Sequence, residues 1–240
     1  LADSETVLNQ DGSATGDVNL KVNNILLTES VVRSEDGDIL VDAARNVLVS
    51  TVNADSDSDN NRGRAQIMAR SGSITDNNDG ISANRLNITA DGLHMEAATG
   101  IATNANRMET RANNLEAAGG NGGMFVQNQG ALTIGGVTPI NVLTPALSGL
   151  TASGSDIKVL TTGAMTVNEG VANSGGGNIE MAAQGATAAE DMTINANIAA
   201  TGGNGSIILA AGDTISQTGA TSVSAAGSGS EAIQGLGSYF

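Results

Sequence analysis

GNIEMAAQGATAAEDMTINANIAATGGNGSIILAAGDTI, residues 177–215, contains three copies of one short pattern. The copies are GNIEMAA from Gly177, EDMTINA from Glu190 and GSIILAA from Gly205, each a polar step followed by apolar residues at alternate positions. Side chains two apart on a strand share a face. Met192 with Ile194, and Ile207 with Leu209, therefore predict short strands with one buried side. A third inward position falls to alanine, as at Ala183, Ala196 and Ala211.

The pattern recurs outward from this stretch. Upstream copies are GDVNLKV from Gly16, GDILVDA from Gly37, GRAQIMA from Gly63, NRLNITA from Asn84, DGLHMEA from Asp91, NNLEAAG from Asn113, GALTIGG from Gly130, SDIKVLT from Ser155 and GAMTVNE from Gly163. They place Ile39 with Val41, Leu86 with Ile88, Leu93 with Met95 and Ile157 with Val159, and add inward alanines at Ala69, Ala90 and Ala97. Gly16 and Gly37 are 21 residues apart, Ala65 and Leu86 another 21, and Gly154 and Gly177 23. A unit of that length cannot bury its inner face alone, but coiling stacks each strand on its equivalent and closes a continuous core. The expected fold is all-β: a right-handed parallel β-helix (solenoid) of about ten coils and roughly 50 Å, given ~4.8 Å per coil. A left-handed β-helix would need a hexapeptide period, which these longer, irregular intervals lack. Glycine and asparagine are expected at left-handed corners between strands.

Composition agrees with a narrow, uniform bore. The chain has 240 residues, 40% hydrophobic, yet aromatics are only 1%: Phe125, Tyr239 and Phe240. A β-sandwich would ordinarily use more rings and more turn prolines. Gly, at 32 residues, has no three-residue period, so collagen is excluded. Formal net charge is −15, and nine of the ten basic residues lie at or before Arg111. Nucleic acid and anionic membrane both need clustered cations, so neither is an expected partner. The lack of Cys removes disulfides and thiolate chemistry. No window has the ~20 apolar residues of a membrane helix.

The runs GDILVDAARNVLVS (37–50), the stretch at 177–215 and TSVSAAGSGS (221–230) resemble the repeats of filamentous haemagglutinin-like exoproteins, large bacterial adhesins often exported by two-partner secretion. The resemblance implies a non-catalytic β-helical shaft at the bacterial cell surface or outside the cell. Its implied roles are adhesion, aggregation or biofilm, with a host or neighbouring-cell surface, glycan or matrix as partner. It covers most of residues 16–230 and carries over no functional residue. Residues 1–240 then form a single solenoid segment of a longer chain or filament. A self-assembling filament subunit is the alternative, its ends pairing head to tail with Tyr239 and Phe240 as a buried contact.

Two segments interrupt the repeat. NADSDSDNNRG (53–63) alternates Asp55, Asp57 and Asp59 like the start of a calcium loop. The sixth and twelfth positions are Asn60 and Gln66, not the Gly and Glu of an EF-hand. Calcium held by Asp55, Asp57 and Asp59 with Asp76 and Asp79 of TDNNDG (75–80) is the remaining metal reading, beside a plain solvated loop; no other cofactor is expected. The second interruption, 135–155, holds Pro139 and Pro145, which cannot donate to a central ladder. It is expected as an excursion that bulges out or shields the core with Val137, Ile140, Val142 and Leu147.

Enzymatic readings find little. His94, between Leu93 and Met95, is expected outward on the surface. A carbohydrate-active β-helical enzyme, the remaining alternative, would need clustered carboxylates, with Glu96, Glu109 and Glu116 beside Arg85, Arg107 and Arg111 as the candidate patch.

Overall fold

The structure is a computed structural model describing residues 7–9, 17–22, 25–26, 31–59, 61–78, 85–141, 144–184, 190–226 and 231–235. Among these residues the chain forms strands, one 3-10 turn at Gly120–Gly122 and no α-helix. Every pairing is parallel. Each strand therefore lies on one a full circuit of chain later: Val18 faces Ile39, Ile39 faces Ala65, Ala65 faces Leu93, and Leu93 faces Leu115.

Three ladders result. The first contains Val18–Val22, Ile39–Ala43, Ala65–Ala69 and the later parts of Ile88–Ala97 and Met108–Ala118. The second runs from Ile25–Leu26 through Val47–Val49, Ser73–Asp76, Gly100–Ile101, Met124–Asn128, Ile157–Thr161, Ile179–Ala183 and Ile207–Ala211 to Glu231–Gly235. The third contains Val7–Asn9, Val31–Ser34, Thr51–Asn53 and the earlier parts of Ile88–Ala97 and Met108–Ala118.

The 11-residue strand Met108–Ala118 redistributes these ladders. Its start pairs with Val126 to Asn128 and so merges the third ladder into the second. Its end forks the first ladder: Leu115 faces Ile134, whereas Ala117 faces Leu150. One branch continues through Met165–Val167, Met192–Ile194 and Ile215–Gln217, the other through Val171–Asn173, Ile198–Ala200 and Val223–Ala225. Three sides persist, but the five-residue side moves from the first ladder to the second.

Alternation supplies the core. Ile39, Val41, Leu93, Met95, Ile157, Val159, Met192, Ile194, Ile207 and Leu209 are all buried, as are Ala69, Ala90, Ala97, Ala183 and Ala211. Two expectations change. Ala196 is half-buried beside the core. Leu86 precedes the strand and is half-buried, because Asn87 turns inward instead, donating to Val49 O at 3.1 Å and to the Asp76 carboxylate. Those bonds satisfy an amide that would otherwise be costly to bury.

The polar step of the repeat also differs from the expected corner. No described asparagine has a left-handed backbone; Ser58 and Ala102 are the described non-glycine residues that do. The Asp or Asn before a strand instead accepts the backbone N–H of the matching position one coil on. Asp17 accepts from Asp38, Asp38 from Arg64, Asp156 from Asn178, Asn178 from Ser206, Asp191 from Thr214 and Asn197 from Ser222, at 2.7–3.0 Å. The short side chain thus extends the inter-coil ladder one residue past the strand. Charged side chains form further rungs: Arg64 with Asp38, Arg70 with Asp42 at 2.7 Å and Lys158 with Glu180 at 2.7 Å.

Candidate functional site

Between Ile134 and Leu150 the described chain has no strand, and Leu150–Ala152 is already back in a ladder. The departing segment, hereafter the strap, lies over the outer face of the first ladder. Gly136 N donates to Glu169 Oε1 at 3.0 Å and Val137 N to Glu116 Oε1 at 2.8 Å. Further along, Thr138 O accepts from Arg64 Nη1 at 3.0 Å, Asn141 N donates to Gln66 Oε1 at 2.8 Å, and Thr144 Oγ1 meets Met68 Sδ at 3.5 Å. The strap therefore crosses coils along the axis, bonding to residues about 75 positions earlier. Gly92 lies beneath it, where an added Cβ would meet Val137 Cγ1 at 3.4 Å, an ordinary van der Waals contact.

Beneath the strap, Gln66, His94 and Glu116 occupy one position in three successive coils. All three point away from the core, yet all are buried; His94 is only 1% exposed, not the surface histidine expected. Neither His94 nitrogen has a hydrogen-bond partner among the described residues, and neither has Glu116 Oε2. Burial pushes the His94 imidazole down to about 4. It also raises the Glu116 carboxyl, an effect reinforced by Glu169 and opposed by the Val137 and Gly136 N–H groups. Alternation alone gives the outward direction of these residues, and only the strap's path makes them buried.

The acidic loop is divided in two. Asp55 is buried and paired with Arg62 at 3.1 Å, while Asp76 is buried and accepts from Asn78 N at 2.9 Å and from Asn87. Asp79 lies outside the described residues. Asp57 and Asp59 meet Asp36 of the preceding coil, with one carboxylate oxygen from each within 4.8 Å of the others. Partial burial and the neighbouring Asp59 and Asp57 charges raise the Asp36 carboxyl above its ordinary range. These three oxygens are the described set able to hold a hard cation such as calcium. The sequence alone does not single out Asp36, because nothing local links it to residues 21 and 23 positions later.

A groove of about 310 Å³ lies at the neighbouring corner, lined by Arg70, Glu96, Thr151, Ser153, Ser174 and small apolar residues. The arginine–carboxylate patch expected for polysaccharide cleavage is not assembled around it as a unit: Glu116 lies under the strap, while Arg107 bonds Gln127 and Asn104 at 3.4 Å. The groove offers one cation, one acid and hydroxyls among a larger share of small apolar side chains. No family model, curated protein or solved structure matches the chain.

Proposed function

We propose that this chain is a non-catalytic shaft segment of an extracellular bacterial adhesin, built as a right-handed parallel β-helix of about ten coils. The observation that carries the reading is the coil-to-coil register of the ladders, maintained across the fork at Met108–Ala118. Such stacking makes length by repetition, each coil resting mainly on its neighbours. The acidic, small-residue exterior and the resemblance of 37–50, 177–215 and 221–230 to filamentous haemagglutinin-like repeats favour a display role, with a cell surface, glycan or matrix as partner.

Filament assembly is the second reading, favoured by Glu231–Gly235, whose described strand pairs only with Ile207–Ala211. Tyr239 and Phe240, the expected contact, lie outside the described residues. Light scattering with electron microscopy separates these readings. Monomeric rods in dilute solution, releasing no oligosaccharide from acidic polysaccharides, are expected of a shaft. Filaments with an axial repeat of one rod would make self-assembly the function, and steady release of oligosaccharide would make the chain an enzyme.

A further inference from the structure

We infer that the strap is an acid-released cover: uptake of a proton by His94 lifts residues 135–141 and 144–149 from the first ladder while the coils stay folded. The geometry isolates the imidazole. Gln66 and Glu116 flank it in the neighbouring coils, and both are bonded to strap backbone, through Asn141 N and Val137 N. The strap itself, GGVTPINVLTPALSG at 135–149, contributes no acid or base. A protonated ring in the closed state would therefore be a buried cation under an uncharged cover, with no acceptor on either nitrogen among the described residues.

The surrounding charges do not remove this penalty. Glu96, on the same strand, brings Oε2 to 4.0 Å from His94 Nε2, but its side chain is 44% exposed and its field is screened by water. Arg64 and Arg70 are engaged by Asp38 and Asp42, and Glu169 faces Glu116 and the N–H of Gly136. Among the described residues Glu116 is the buried acid beside the ring, and burial raises its carboxyl towards the neutral form, which weakens it as a counter-charge. Lifting the strap puts all these groups in water, where histidine regains its ordinary basicity.

The two buried groups act with opposite signs. His94 is depressed to about 4 when covered, against 6.5 when free, so closure is favoured at neutral pH and lost as pH falls from 6.5 towards 4. Glu116 is raised when covered, so closure is penalised above that raised value and the penalty disappears as pH falls towards 4.5. The histidine's displacement is the larger, and acid opens the strap. A displacement of this size moves the opening equilibrium on the order of 10²-fold.

Hydrogen exchange of the intact chain, corrected for the intrinsic pH dependence of exchange, reads the opening directly. Between pH 7 and 4 the amides of Val137 and Asn141 should lose on the order of 10²-fold protection, while those of Ile157–Thr161 keep theirs. His94→Gln should retain strap protection in acid, with His94→Leu as the second variant should the first not fold. Glu116→Gln, which keeps an acceptor for Val137 N and removes the opposing titration, should still open and to a greater extent. Strap protection unchanged down to pH 4 would overturn the inference. Equal loss in His94→Gln, or simultaneous loss throughout the ladders, would do the same.

Discussion

Asp55 and Arg62 are seven residues apart and both withdrawn from water, joined at 3.1 Å across the base of an otherwise exposed acidic loop. Removing one partner strands the other charge, whereas removing both costs less. Asp55→Ala should lower stability to urea by about 3–5 kcal/mol, and Asp55→Ala/Arg62→Met should recover part of that loss; equal losses in the single and double variants would show that the pair is not coupled. The sequence displays this loop as a run of equivalent alternating aspartates. Only the fold differentiates them: Asp55 is neutralised by a cation in its own loop, while Asp57 and Asp59 are left facing Asp36. His94 shows the same limit. Its outward direction follows from the period of two, but its burial depends on contacts from residues more than 40 positions later.

At the scale of the element, strands were the most legible part, because the rule that makes them is local. Apolar residues two apart specify a face, and that face must be buried. The strap was legible as an interruption through Pro139 and Pro145, but its path was not, since no periodicity records contacts with Arg64, Gln66 and Met68. Its return is set by Gly149, which has φ +71° and whose added Cβ would overlap Gly170 O of the next coil. Gly149→Ala is therefore expected to cost more than about 1 kcal/mol in urea unfolding, from backbone strain and displaced packing together. An unchanged midpoint would mean that the chain re-enters the ladder by another route. The Asp or Asn before several strands is visible as a motif, and its asparagines, expected at left-handed corners, serve the inter-coil ladder instead. Its inter-coil role needs the partner N–H one circuit away, which spacing alone does not display.

At the scale of the molecule, repetition gave the parallel, coiled architecture, and the interruption of repetition gave the fork. What repetition did not reveal is that the long side moves from the first ladder to the second at Met108–Ala118, because both halves use the same local pattern. Stacking converts position in sequence into distance along an axis, and this is the property on which a shaft depends. The second ladder stacks Leu48 on Thr75, passes through Gly100–Ile101, and then stacks Phe125, Lys158, Glu180 and Ile208 on one another, successive coils being about 4.8 Å apart. Leu48 is half-buried and Ile208 is 42% exposed, and the absence of cysteine makes introduced thiols unique. The most direct measurement is the distance between spin labels at Leu48→Cys and Glu180→Cys, and at Leu48→Cys and Ile208→Cys. Label separations centred near about 24 Å and 29 Å, rising by one coil between the pairs, are expected. Equal or decreasing separations would contradict a continuous stack of coils and, with it, the shaft.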